Sequence, residues 1–137
     1  MSYQSIFRDD AFKQQTIIIT GGGSGIGRCT AHELASLGAS VILVGRTLEK
    51  LTTVAEEIQI DGGNADTFAF DIRDEVAVTE NIAAIIAKHG VIHGLVNNAG
   101  GQFPAPLEAI SQNGFETVVR TNLTVGFLMA KEVYLQS

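Results

Sequence analysis

A chain of 137 residues with 45% hydrophobic and 18% charged residues carries enough apolar surface for one packed domain and too much for disorder. Its net charge of −6 argues against a nucleic-acid backbone as partner, and its single cysteine, Cys29, excludes an internal disulfide and fits a reducing compartment. No apolar run approaches the ~20 residues that span a bilayer and the start has no signal-peptide pattern, so the expectation is no membrane partner and a cytoplasmic location, with peroxisome or mitochondrion left open.

Residues 1–14 read as an N-terminal extension, and residues 15–137 as one domain. Thr16-Ile17-Ile18-Ile19-Thr20 is the first strand. The first helix is expected over residues 25–37, with Ile26, Cys29, Leu34 and Leu37 as its apolar positions and Gly38 as its stop. Cys29 is read as a small packed residue. Residues 40–44 form a short β-branched run, the second strand. Leu48, Leu51, Val54, Ala55 and Ile58 recur at helical spacing and mark a second helix. Asp61-Gly62-Gly63-Asn64 is a turn by composition. Residues 66–70 read as the third strand, and Val78, Ile82, Ile85 and Ile86 mark the third helix, ended by Gly90. The fourth strand is expected over residues 91–96. One long fourth helix is expected over residues 112–135, with Phe115, Val118, Val119, Leu123, Phe127 and Ala130 on its apolar side. Strands and helices that alternate with short loops imply an α/β fold, a doubly wound parallel sheet whose ligands bind at the carboxyl ends of the strands.

The most informative segment is Thr20-Gly21-Gly22-Gly23-Ser24-Gly25-Ile26-Gly27, between the first strand and the first helix. A glycine turn there points free backbone N–H groups and the positive end of a helix dipole at one spot, which suits a pyrophosphate. Gly21, Gly23, Ser24, Gly25 and Ile26 are the candidate residues. In a dinucleotide site the residue about 20 positions further on faces the adenine ribose. That slot holds Gly45 followed by Arg46, where a carboxylate would select NAD. Glycine leaves room and a guanidinium grips a 2′-phosphate, so NADP(H) is the expected cofactor; Lys50, one turn on, can add charge.

Asp71 ends the third strand. Asp74 is better placed to cap the next helix, which leaves Asp71 to accept a hydrogen bond from an adenine amino group, with Ile72 beside it. Asn97-Asn98-Ala99-Gly100-Gly101 ends the fourth strand. Asn97 is read as the amide held beneath the turn, and Asn98, Ala99 and Gly100 as passing the cofactor's ribose. Gln102, Phe103 and Pro104 are read as a substrate entrance. Asn122, a poor helix former in an apolar helix, needs a partner and is expected to bind a water or a backbone carbonyl at the active site. His32, His89 and His93 lack metal-ligand spacing and are read as structural, so no metal site is expected.

Four ordered motifs, Thr20 to Gly27, Asp71, Asn97 to Gly100, and Asn122, resemble those of the short-chain dehydrogenase/reductase family. The resemblance runs from about residue 15 to the end. Asn98-Ala99-Gly100-Gly101-Gln102-Phe103-Pro104 and Thr121-Asn122-Leu123-Thr124 look like the 2,4-dienoyl-CoA and trans-2-enoyl-CoA reductases within it. The resemblance implies a Rossmann fold and an NADP(H)-dependent oxidoreductase acting on an enoyl-, dienoyl- or 3-oxoacyl thioester, carried on CoA or ACP. It implies a role for Asn122 in organising a proton-relay water, and a homo-oligomer assembled through the fourth helix. The chain also departs from the family. Its catalytic Ser and Tyr-x-x-x-Lys pair have no counterpart: Tyr134 precedes only three residues, and Tyr3 has Phe7 four positions on. The expectation is a fold that stops after the fourth strand and helix, with strand four at the sheet edge, and a chain inactive by itself. The alternative is a non-catalytic nucleotide-binding or pairing fragment.

Overall fold

Every residue of β1 (Thr16–Thr20) is buried, as expected of a parallel strand covered on both faces. The computed structural model describes residues 3–102 and 104–137. Phe103, part of the expected substrate entrance, lies outside the described residues. β1 pairs in parallel with β2 (Ser40–Gly45) on one side and with β4 (Gly94–Val96) on the other. β2 pairs in parallel with β3 (Asn64–Ala69), giving the order β3-β2-β1-β4. The expected parallel α/β fold is therefore present.

Strand residues alternate between two cores, because successive side chains leave opposite faces of a sheet. Ile17, Ile19, Val41 and Leu43 pack under α1 (Gly25–Ser36) and α2 (Leu48–Ile60), together with Ala31, Ala35, Leu51, Val54 and Ile58. Ile18, Ile42 and Val44 pack on the other face against Val78, Ile82 and Ile85 of α3 (Glu75–His89) and against Met129. Helices on both faces make the sheet doubly wound.

Three elements depart from the sequence reading. α1 does not bury Ile26 or Cys29; Ile26 is 78% exposed and Cys29 is an exposed thiol. Its buried residues are Gly27, Ala31 and Ala35, small residues four apart that form a flat stripe, so the helix packs through backbone proximity. β4 pairs over three residues where six were expected. Just before it, His93 N–H bonds the carbonyl of Thr16, and Thr16 N–H bonds His93 Nδ1 at 2.9 Å. The imidazole thus takes a donor that a longer ladder would have used.

The long fourth helix is present without interruption over residues 112–136, but its middle is not α-helical and its buried side is not the expected one. α4 (Gln112–Val119) passes into a π-helical turn, Arg120–Thr124, and then α5 (Val125–Gln136). Phe115, Val119, Leu123 and Phe127, expected on the buried side, are 37–69% exposed, while Val125 and Met129 are buried. The N-terminal extension is tied down: Phe12 packs on the α1–α2 core and its N–H bonds the carbonyl of Leu37. No helix among the described residues is long and apolar enough to cross a membrane.

Candidate functional site

β1 is flanked by β2, which leads to one side of the sheet, and by β4, which leads to the other. A crevice opens beyond the carboxyl ends of strands at such a reversal of strand order. The glycine turn after β1 and the Asn-Asn turn after β4 meet there. Thr20, 1% exposed, fastens them. Its Oγ1 accepts from Asn98 N–H and Ala99 N–H, both at 3.0 Å, and donates to the carbonyl of Val96 at 3.4 Å.

Asn98 completes the joint. Its Nδ2 donates to the carbonyl of Thr20 at 3.0 Å and to that of Gly21 at 3.4 Å. This corrects the sequence reading: Asn98, not Asn97, is the amide beneath the glycine turn. Asn97 is exposed and donates to the carbonyl of Gly126 on α5 at 3.2 Å. The signal was in the pleat. Val96 packs toward α1 and α2, and Leu95 toward α3, so Asn98, two residues after Val96, shares the α1 side.

The turn is close-packed at Gly27 and Gly100. A Cβ on Gly27 would collide with the carbonyl of Gly21 and the amide of Asn98. A Cβ on Gly100 would strike Asn122 Oδ1. Ser24, the residue before α1, is extended and makes no capping bond with its side chain. The first N–H groups of a helix have no partner within it, so this end of α1 presents donors and a partial positive charge.

A cavity of about 280 Å³ lies against this turn. Among the expected cofactor residues, Gly21, Gly23, Ser24, Arg46, Asp71, Ile72, Ala99 and Gly100 line it. Gly25, Ile26 and Asn98 do not; the first two open α1, and Asn98 sits behind the turn. Lys50 also lines it, as do Thr47, Phe70, Arg73, Thr121 and Val125, which the sequence reading did not single out.

The cavity is cationic within an acidic chain. Arg46, Lys50 and Arg73 stand on its wall against one carboxylate, Asp71. Arg46 and Lys50 form no ion pair among the described residues, whereas Arg73 is paired with Asp71 at 2.8 Å. That pairing, with a further bond from Arg73 N–H and the field of Arg46, holds the Asp71 carboxyl down at about 2. Asp74 caps α3 as expected, accepting from Val76 N–H and Ala77 N–H. Free helix donors, a deep glycine turn and unpaired cations fit a phosphorylated dinucleotide better than a neutral ligand.

Asn122 does not line the cavity. Its Nδ2 donates to the carbonyls of Gly101 at 2.7 Å and Val118 at 2.9 Å, and its Oδ1 accepts from Gly101 N–H at 3.2 Å. The amide therefore staples the Gly100–Gly101 turn to the helix, within the π-helical turn. π-turns of this kind recur at functional sites. Each histidine has a protein partner: His32 meets Glu57, His89 meets Asp66, and His93 meets the Thr16 N–H. Among the described residues no group of His, Cys, Asp or Glu could hold a metal ion.

Known proteins resemble the chain in both sequence and shape. It is 37% identical over 130 residues to a probable (3E)-enoyl-CoA-producing 2,4-dienoyl-CoA reductase of Caenorhabditis elegans, covering 93% of this chain and 42% of that protein. It superposes on the citronellol catabolism dehydrogenase (AtuB) of Pseudomonas aeruginosa PAO1 with a TM-score of 0.93 and 63% identity, covering 98% of this chain and 55% of that one. A metagenomic short-chain oxidoreductase in complex with NADP (TM-score 0.83, 34% identity; 90% of this chain, 57% of that one) and an NAD+-bound xylitol dehydrogenase (0.86, 30%; 92% and 49%) share the fold. The chain spans less than half the length of the curated relatives it matches. The model of the short chain dehydrogenases matches residues 15–136, and with the turn, the sheet order and the crevice in place the chain belongs to that family of oxidoreductases.

Proposed function

We propose that these residues form the NADP(H)-binding portion of an oxidoreductase that acts on the acyl thioester of a branched isoprenoid chain. The observation that carries the cofactor is Arg46. It stands on the cavity wall with no ion-pair partner among the described residues, directly after the position where a carboxylate would hold a free ribose hydroxyl. Gly45 before it leaves room for a phosphate. The nicotinamide group, when bound, supplies or accepts a hydride. The chain's own residues do the rest of the binding work: the Gly21–Ser24 turn and the start of α1 hold the pyrophosphate, Asp71 and Ile72 frame the base, and Ala99 and Gly100 border the ribose. Asn122 fixes the Gly100–Gly101 turn through its staple.

Two likenesses support the substrate class: a citronellol catabolism dehydrogenase at 63% identity and a 2,4-dienoyl-CoA reductase at 37%. The exposed apolar row Phe115, Val119, Leu123 and Phe127 supports assembly of copies through α4 and α5, since contiguous exposed apolar surface favours association.

The test is a fluorescence titration with NADPH and NADH. NADPH is expected to bind at least about 10-fold tighter, the size of one charge-assisted contact, and Arg46→Ala should erase the difference. Equal affinities in the unaltered chain, or an unchanged preference in the variant, would remove the cofactor reading. In the full-length protein, turnover of straight-chain thioesters but not branched ones would remove the substrate reading.

A further inference from the structure

β4 is held by one neighbour. It lies at the edge of the described sheet and pairs with β1 over three positions, Ile17 with Gly94, Ile18 with Leu95 and Ile19 with Val96. Side chains close both ends of this short ladder. At the crevice end, the Thr20 hydroxyl accepts from Asn98 N–H and Ala99 N–H. At the other end, His93 meets Thr16 in both directions. Its N–H donates to the Thr16 carbonyl at 2.8 Å, and its Nδ1 accepts from Thr16 N–H at 2.9 Å. An imidazole nitrogen accepts only while it carries no proton, so the second bond requires the neutral ring with its hydrogen on Nε2. His93 is exposed and open to solvent protons, whereas Thr16 is 8% exposed, so its N–H is poorly placed to find water instead.

We propose that His93 is a pH-sensitive latch between β4 and β1: neutral, it completes the ladder at Thr16; protonated, it turns an N–H toward the Thr16 N–H and releases that end of β4. The sign is fixed by the acceptor role. The stability lent by the bond is present above the range in which imidazoles titrate, about pH 5–8, and is lost as pH falls through it. The other two histidines work the opposite way. His32 meets Glu57 and His89 meets Asp66, so a proton strengthens both pairs. The two strands at the latch carry no other titratable side chain. Lys13 precedes β1. α3 brings Lys88 and His89 at its end, both bound to Asp66, with Glu75 and Glu80 nearer its start. α5 brings Lys131 and Glu132, the latter bonded to Gln136. On α1, Arg28 and His32 turn to Glu57, and Glu33 to Tyr3 and Ser5. None of these groups forms an ion pair with His93 among the described residues.

The experiment follows amide hydrogen exchange of Thr16 relative to Ile42 of β2, which β1 and β3 flank, at the two ends of the imidazole range. With intrinsic exchange rates divided out, relative protection at Thr16 should fall about 10-fold on acidification of the unaltered chain, the worth of one buried donor left without an acceptor. His93→Asn sets an amide oxygen near the place of Nδ1, an acceptor that no proton blocks in this range, and should hold the ratio within about 2-fold. His93→Ala should show the low ratio throughout. Nitrogen NMR of the ring at the alkaline end should show Nδ1 bare and Nε2 protonated. A Thr16 ratio that does not move with pH in the unaltered chain overturns the proposal. The same fall in His93→Asn overturns it too, because the cause then lies with His32, His89 or a carboxylate. A proton on Nδ1 at the alkaline end overturns it without recourse to any variant.

Discussion

Replacing Thr20 by Val tests whether the joint between the two turns is held by a hydroxyl. The residues are nearly isosteric, and Thr20 is 1% exposed, so the change opens no cavity and exchanges an O–H for a methyl. Were the hydroxyl idle, burial of an extra apolar group would stabilise the protein. In the structure it accepts from two backbone N–H groups at 3.0 Å. Valine leaves the Ala99 N–H without an acceptor and the Asn98 N–H with only the carbonyl of Val96, at 3.0 Å, and the orphaned donor costs about 1–3 kcal/mol. A net loss of about 2 kcal/mol is expected, a large share of the ~5–15 kcal/mol that holds a domain folded. At roughly 2.1 cal/mol/K per residue, that is a fall of about 7 °C in Tm. Thr20→Ser keeps the hydroxyl and loses one methyl, at about 1 kcal/mol. Urea unfolding should therefore rank the unaltered chain first, Thr20→Ser second and Thr20→Val last. A Thr20→Val protein as stable as the unaltered chain, or more stable than Thr20→Ser, would refute the reasoning.

Two further outcomes are expected. Gly27→Ala should gain about 1 kcal/mol of helix propensity yet lower Tm, because its Cβ would collide with the Gly21 carbonyl and the Asn98 amide and overpacking against backbone costs about 1–3 kcal/mol; a rise in Tm would show that the turn can open. The Asp71 carboxyl, followed by carbon NMR, should titrate at about 2 and move up toward the ordinary ~3.9 in Arg73→Ala. A carboxyl with its folded pKa depressed lends stability that is present above ~4 and lost as pH falls through about 2. The variant should thus lose that contribution at neutral pH and not below pH 2, and equal acid unfolding profiles at all pH values would count against the pair.

Much of the site was legible from local pattern. Three consecutive isoleucines followed by a glycine cluster and a helical segment can form only a few structures, and β1, the turn and α1 fall where the sequence places them. Arg46 and Asp71 were legible because each stands within two residues of a strand's end, and strand ends in a parallel sheet share one edge. Asp74 was legible as a cap because capping is a contact between near neighbours. Arg73 carried no such signal. A surface arginine two residues after a carboxylate has many places to go, and only the turn fixed by the Asp74–Asp71 backbone bond brings its fork onto Asp71.

What periodicity and short motifs determined by themselves was the run of alternating strands and helices and the edge of the sheet at which a nucleotide would sit. Tertiary structure decided which of two adjacent amides turns beneath the glycine loop, because that depends on which face of β4 meets α1. It decided that α1 buries Gly27, Ala31 and Ala35 in place of Ile26 and Cys29, because a helix drawn close to a sheet admits small side chains on its inner face. It also widened the fourth helix into a π-helical turn around Asn122, whose amide reaches across to Gly101. Contacts between residues far apart in the chain are worth as much as local propensity, and they leave no mark on the pattern of neighbours.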